Sequence, residues 1–600
     1  MDRKSIIVIA VCFVVLLLWY PLINKIHPTQ TLPANTNVSG TTPAAANAAG
    51  PTSSPPQISP VEATNTSTPA LPQAVTGTNV PEQTLELTTT NAHYTFTSHG
   101  GGLTKVELLQ YPDKVSRRRD KAHTNNVAML NSVTPAPTLS ILGGEGATAI
   151  QGDGIFELST IPGGVRAQKT LANGLTIVKD FVAGTNYLLE ATVRLENRST
   201  QSLTLPPQEW FVGTATPLDS KDTGMAVGVM WYDGTKQQEA GQSFFSGRGF
   251  MCMPKAVPAE YRVTSSNVVW VAVHNQFFTL AAMPQDPAVG VVVRKVPLAG
   301  VPEFASDRST PPEGYGSSMV YPAITIAAGQ QAQHQFSLFA GPKEYQTLVR
   351  IGSRFNNNVD LVMGYGGFFG FFAKGLLLAM NWLHDNLKFS YGIAIIAITV
   401  LVKLLFWPLT QASTRSMKRM QALQPQMKAI QEKYKADPAK MNKKTMEFMR
   451  EHKVSPLGGC LPMVVQIPVF FGFYRMIQSA IELRGASFLW IGDLSQPDTL
   501  FMIPGTGFPF NLLPLIMGVT MLWQARLTPP SPGMDPTQAK MMRYMPLMFM
   551  VFLYNFSAGL TLYWTVQNLL TIAQTKLTRA VPEVGPTPAT ALTPAPRKRK

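Results

Sequence analysis

Apolar and polar positions divide the chain into stretches with different periodicities. Ser5 to Ile23 form an unbroken apolar run behind Arg3 and Lys4. As a helix it is long enough to cross a hydrocarbon layer of about 30 Å. From Pro28 to Pro81 there is almost no charge and there are few large apolar residues among mostly Pro, Thr, Ala, Asn and Ser, so the segment cannot bury enough surface to fold. Beyond it come short alternating or β-branched runs such as LTIVKDFV, NYLLEATVRLEN and NVVWVAVHNQFFTLAAM, broken by Gly, Asn and Pro. These predict an antiparallel β-sandwich of roughly 260 residues. The pattern then becomes helical and strongly apolar.

GFFGFFAKGLLLAMNWLHDNL carries Lys374, His384 and Asp385, and reads as an amphipathic helix lying at a membrane surface. A second span follows at Tyr391 to Leu409, a third at Leu457 to Gln478 and a fourth at Phe508 to Arg526. Met545 to Thr575 is too long for one crossing and is interrupted at Asn555 to Gly559, so it divides into two. The predicted fold is an α-helical polytopic membrane protein of six spans, five of them forming a core, joined to a large all-β domain. The expected boundaries are an uncleaved anchor over 1–24, a tether over 25–83, the β-sandwich over 84–345 and the surface helix over 361–388. Spans follow at 389–410, 456–480, 508–526 and, as a pair, 544–577, with a helical hairpin at 411–455, loops at 481–507 and 527–543, and a tail at 578–600.

Charge supports this topology. The net charge of +15 is concentrated beside the apolar runs, where the preference of Lys and Arg for the cytoplasmic side accounts for it better than nucleic acid does. Arg3 and Lys4 place the start of the anchor inside, and the β domain then lies outside. The loop from Gln411 to Ser455 holds eleven Lys and Arg, from Arg415 to Lys453, against Glu432, Asp437, Glu447 and Glu451, and is therefore cytoplasmic. Three scattered cysteines give neither a disulfide framework nor a zinc site. HExxH, Walker, GxSxG and CxxC signatures are absent, so neither an enzyme nor a cofactor is expected.

Lys403 is a cation among Val400, Leu401, Val402, Leu404, Leu405 and Phe406. At a helix centre such a charge costs about 2.5 to 3.5 kcal/mol on insertion scales, and less toward the cytoplasmic end. One reading is snorkelling to the headgroups. The other is a wet recess, favoured by the Thr, Gln and Asn residues of the spans, among them Thr399, Gln466, Gln567, Asn568 and Thr571, with no Asp or Glu in any span. The hairpin carries an apolar stripe of Met417, Met420, Leu423, Met427, Ile430 and Tyr434, then Met441, Phe448 and Met449. It either packs the hairpin together or offers flexible thioethers to varied apolar partners. The tail ending Arg597, Lys598, Arg599 and Lys600 can fix topology or touch anionic lipid or ribosomal RNA.

SPLGGCLPMVVQIPVFFGFYRMI, followed by ELRGASFLWIGDLS, resembles the most recognisable stretch of the YidC membrane insertase family. The likeness extends through FAGPK, FPFNLLPLIMGVTM, DPTQAKMMRYMP and SAGLTLYWTVQN. It implies an inner-membrane insertase and chaperone with a periplasmic β-supersandwich, acting on nascent integral membrane proteins alone or beside the Sec translocon, without nucleotide. It also implies a substrate groove with a cation at Lys403, a polar partner at Thr399, an aromatic contact at Trp564, and further lining from Gln466 and Tyr563. The family more often has Arg at the cation position and an FPSG turn where this chain has Phe556-Ser557-Ala558-Gly559. The rival functions are a small-solute transporter or channel, which calls for an inverted repeat and acidic sites within spans, and an anchored carbohydrate-binding domain.

Overall fold

The computed structural model describes residues 80–578 except 114, 116–126, 143–153, 219–221, 223, 225, 247–257, 259, 299–312, 436, 453–460 and 528–535. The predicted anchor, most of the tether and the basic tail with Arg597, Lys598, Arg599 and Lys600 lie outside the described residues. Two compact units divide the chain, with the boundary after Met363.

The β unit is built on a nine-stranded antiparallel sheet. Its strands run, in spatial order, Gln237–Gly241, Gly228–Tyr232, Trp270–His274, Phe278–Pro284, Gln331–Pro342, Leu188–Asn197, Leu175–Ala183, Gly164–Thr170 and Glu157–Ile161. A five-stranded sheet of Glu260–Val268, Ala288–Pro297, Glu313–Tyr321, Gln208–Ala215 and Ile141–Leu142 packs on it, with Gln208–Ala215 and Glu313–Tyr321 against the strands around Trp270–His274. Thr84–Thr88, Ala92–Thr97, Gly102–Pro112 and Val127–Leu130 form a third sheet. Side-chain alternation explains Leu188–Asn197, where every second residue from Leu189 to Asn197 is buried. Leu175–Ala183 is different: its first seven residues are all buried, Lys179 and Asp180 included.

These buried charges are paired in different ways. Arg166 and Arg194 from the neighbouring strands close on the Asp180 carboxylate at 2.6 and 2.8 Å. Burial pushes that carboxyl up, but the two guanidiniums outweigh it and hold it below its ordinary value. Lys179 Nζ donates to the carbonyls of Gly100 and Leu139, at 2.7 and 2.9 Å, over the Phe156 ring. It ties the Gly100–Gly101 turn, whose glycines sit at φ +82° and +57°, to the sheet. Lys343, the last residue of FAGPK, meets His274 Nδ1 at 3.0 Å in the same unit.

The helical unit contains α1's successors; α1 itself, Tyr345–Phe355, still belongs to the β unit. The helices of the second unit are α2 (Gly367–Leu387), α3 (Tyr391–Leu405), α4 (Trp407–Ala422), α5 (Gln424–Lys433), α6 (Pro438–Glu451), α7 (Leu461–Ser479), α8 (Leu512–Leu527), α9 (Pro536–Phe552) and α10 (Ala558–Leu577). The straight span expected to reach Leu409 stops earlier. α3 ends at Leu405, and α4 leaves it at a bend of 65°. Pro408, in the first turn of α4, has no amide N–H and so favours a helix start there over continuation. A second break at Leu423, before Pro425, separates α4 from the α5–α6 pair. The break at Asp437-Pro438 is where the sequence places it, with the Asp437 carboxylate accepting from Lys440 N at 3.0 Å as the α6 cap.

Among the described residues no single helix is both long and apolar enough to cross a membrane by composition. The bent pair of α3 with Trp407–Met420 meets that test jointly, and α8 is a shorter apolar helix. α10 has twenty residues, but Thr561, Thr565, Gln567, Asn568, Thr571 and Gln574 lower its apolar content.

Burial pushes the Lys179 and Lys343 ammoniums down from 10.5 to about 7, with Lys169 adding to the effect on Lys179 and Glu239 opposing it on Lys343. Because the folded values lie below the unfolded ones, the unfolded chain binds more protons across this window. Stability of the β unit therefore rises with pH from about 7 toward about 10.5. Urea unfolding followed by tryptophan fluorescence checks this, and Lys179→Met should flatten the slope.

Candidate functional site

A row of polar groups, buried at Tyr563 and half-buried beyond it, runs along one ridge of α10. Tyr563, Gln567, Thr571 and Thr575 recur every fourth residue, which stacks them along a single helix face. Together they meet three side chains, from α7, α3 and α4. Gln466 of α7 donates through Nε2 to the Tyr563 hydroxyl, and its Oε1 accepts from Gln567 Nε2 at 3.0 Å. Lys403 Nζ of α3 donates to Thr571 Oγ1 at 2.9 Å. Lys418 of α4 reaches the carbonyls of Thr575 and Thr578, at 3.0 and 2.6 Å. Beside the ridge, Gln574 donates to Thr410 Oγ1 at 2.7 Å and Asn568 to Thr520 Oγ1 at 3.2 Å. α10 is thus tied by polar contacts to α3, α4, α7 and α8.

Lys403 is 6% exposed and points inward, while Leu401, Leu404 and Leu405 on the same helix are each more than half exposed. That arrangement is the reverse of a helix in water, and it rules against snorkelling as the resting position of this side chain. α3, α7, α8, α9 and α10 contain no Asp or Glu, so the ammonium rests on a neutral hydroxyl. A neutral partner gives way to an arriving carboxylate more easily than an ion pair does. Lys418 has another task. Its ammonium sits where the last carbonyls of α10 lack helical partners and the helix dipole is negative.

The structure refines the residue roles expected for this region. Thr399, anticipated as the polar partner of Lys403, is fully buried and donates its hydroxyl to Ile395 O one turn back, at 2.7 Å. The hydroxyl that holds Lys403 belongs instead to Thr571, a residue of the polar inventory whose pairing no spacing rule could supply. Trp564 packs edge-on against Phe470, at 4.8 Å between centroids, and lies parallel to Phe549 at 6.2 Å. Tyr563 is buried and stacked on Phe473 at 4.2 Å.

In the α5–α6 pair, Leu423, Met427 and Met449 form one buried cluster with Phe448 packed against it. Met420 is buried as well, and Met417 and Met441 are half-buried. The packing reading of the methionine stripe therefore describes Met420, Met427 and Met449. The methionine that stands open is Met446, at 62% exposure, which lies off the stripe and was not anticipated. Among the described residues no group of three His, Cys, Asp or Glu side chains is placed to hold a metal.

The 60Kd inner membrane protein family matches residues 382–583, and the YidC periplasmic domain family matches residues 84–379. The membrane protein insertase YidC of a Geobacter species is 33% identical over 503 residues, covering 80% of this chain and 82% of that relative. The one from Pelobacter propionicus is 39% identical over 373 residues, covering 61% of this chain and 64% of the relative. A solved structure described as an active YidC insertase with its first transmembrane domain resolved covers 83% of this chain and 93% of its own, at 19% identity and a TM-score of 0.33. The extent of the Geobacter match and the two adjoining family matches lead to one conclusion: the chain belongs to the YidC family of inner-membrane protein insertases.

Proposed function

We propose that this insertase passes the polar flank of a client through a wet recess beside the α10 ridge, using Lys403 as the attracting charge, and releases the apolar part sideways into lipid. One observation carries this reading: α3 buries an ammonium on a neutral hydroxyl and turns its leucines outward. Exposed apolar side chains continue on α8 with Val519 and Trp523, and on α9 with Met541, Met548, Val551 and Phe552. A surface of this kind calls for lipid around it. In this arrangement the predicted anchor, α3, α7, α8, α9 and α10 are the six spans, α2 lies along the periplasmic interface, and α5–α6 is cytoplasmic. Both chain ends are cytoplasmic.

The energetics favour a passive device. A client's apolar segment gains about 25 cal/mol for each Å² it buries, and that gain drives release into the bilayer. The barrier lies in dragging polar flanks across hydrocarbon, and a hydrated recess shortens that path. Gln466, Tyr563, Gln567 and Thr571 would line it, with Thr399 behind Lys403 and Trp564 at its aromatic rim. Lys is a compact charge without the fork of Arg, so it attracts a carboxylate without fixing its orientation. The partners proposed are nascent integral membrane proteins, Sec translocon components, anionic lipids, and the ribosome through Arg597, Lys598, Arg599 and Lys600.

The first test scores insertion of a short acidic-tailed client by protease protection. Lys403→Arg should retain activity, whereas Lys403→Ala and Lys403→Glu should each lower it by about tenfold, equivalent to about 1.4 kcal/mol. Equal insertion by all three would remove the electrostatic step. The hairpin supplies the second. Met427→Ala should destabilise α5–α6 by about 2–5 kcal/mol, seen as faster amide exchange over Gln424–Glu451. Met446→Ser should leave exchange unchanged and reduce photocrosslinking to the client, which separates contact from packing.

A further inference from the structure

The segment leading into α8 carries a surface that the insertion route does not use. Thr499–Met502 and Pro509–Asn511 pair as an antiparallel hairpin, and the thirteen residues from Thr499 to Asn511 include no charge. Leu500, Phe501, Met502 and Phe508 are 40%, 51%, 52% and 51% exposed. The turn between the strands passes through Gly505 and Gly507 at φ +84° and +63°, and space around both is open. Phe501 stacks on Phe510 at 4.9 Å and Phe508 on Tyr554 at 5.2 Å, so the hairpin carries two stacked aromatic pairs.

The base of the hairpin is held firmly while its tip is free. Asp498 accepts from Leu513 N at 2.6 Å, at the first turn of α8, and from Trp490 Nε1 at 3.2 Å. Asn511 N donates to the Tyr554 hydroxyl at 3.1 Å and its Nδ2 to the Tyr554 carbonyl at 2.8 Å, while that hydroxyl donates to Pro509 O at 2.8 Å. Tyr554 lies in the turn between α9 and α10, so one set of bonds joins the hairpin to the outer ends of α8 and α9. A loop meant for water would not combine a rigid base, an uncharged sequence and a row of exposed aromatic and aliphatic side chains.

We propose that this hairpin is a lipid-embedded finger whose apolar face sits in the headgroup and upper acyl region of the periplasmic leaflet. The occupant is lipid because the hairpin continues without a spacer into α8, whose own outer face is apolar, and aromatic rings of this kind favour the membrane interface. Clamped to α8 and α9, the finger fixes the depth at which both helices ride, and with them the α10 ridge. The proposal rests on reading α8 as a span.

The test uses the full chain with Cys12, Cys252 and Cys460 replaced by Ser, reconstituted in phosphatidylethanolamine–phosphatidylglycerol vesicles. An environment-sensitive fluorophore is placed at Thr506→Cys, at Val519→Cys on α8, or at Gly329→Cys on an open turn of the β unit. Thr506→Cys should show blue-shifted emission, quenching by lipid carrying a doxyl group high on the acyl chain, and loss of the iodide quenching seen at Gly329→Cys. Phe501→Ser with Phe508→Ser should reverse all three. If Val519→Cys is quenched by lipid and Thr506→Cys is not, the finger is overturned while α8 stands as a span, whether iodide reaches Thr506→Cys or a protein partner shields it. If Val519→Cys escapes lipid quenching, the span reading fails, and the finger with it.

Discussion

A single ammonium held on a neutral hydroxyl among five helices without carboxylates, α3 and α7 to α10, is the constraint around which the helical unit is organised. Lys403 is buried where the helices meet, while its helix turns Ile393, Leu401, Leu404 and Leu405 outward. Once there it needs an acceptor, and Thr571 supplies one. That requirement turns the polar ridge of α10 toward α3. The same ridge then meets Gln466 of α7 and Lys418 of α4, so four helices are positioned by one row of residues. Replacing the ridge with leucine would pack well in lipid but leave Lys403 buried without compensation, a state far costlier than any lost contact.

The β unit and the helical unit solve the buried-lysine problem differently. Lys179 is pinned by two backbone carbonyls, and Lys343 lies against a buried imidazole nitrogen. Backbone acceptors cannot move away, and such a lysine serves architecture. A threonine hydroxyl can rotate, and Thr571 already donates to the Gln567 carbonyl at 2.8 Å, so it loses little when the ammonium changes partner. On the proposed reading, what separates Lys403 from the two lysines of the β unit is the exchangeability of its partner, more than burial.

Much of this was legible in the residue pattern. The β-rich region, the helical character after it, the break at Asp437-Pro438 and the interruption near Asn555 to Gly559 all follow from periodicity and turn chemistry, which act over a few residues. Lys403 was conspicuous because a charge among leucines violates its surroundings. What the pattern could not show was pairing across helices. Thr399 and Thr571 are both threonines in apolar helices, and only the way α3 and α10 pack decides that the first satisfies its own backbone while the second meets the ammonium. The methionine stripe left its two readings open for the same reason. Helical spacing places Met427 and Met449 on an apolar face but does not say whether a second helix already covers it, and here one does.

Proline explains the remaining difference. The run from Tyr391 to Leu409 is strongly apolar, so composition alone extends the helix through it, yet Pro408 lacks the amide N–H whose hydrogen bond a straight helix requires. Bending at Phe406 carries α4 away from the axis of α3 and brings Lys418 to the end of α10. A straight continuation would have carried Lys418 further along the α3 axis, away from those carbonyls. The kink therefore does two things at once: it ends the apolar segment just past Lys403, and it supplies the cation that closes the open carbonyls of the helix carrying the ridge.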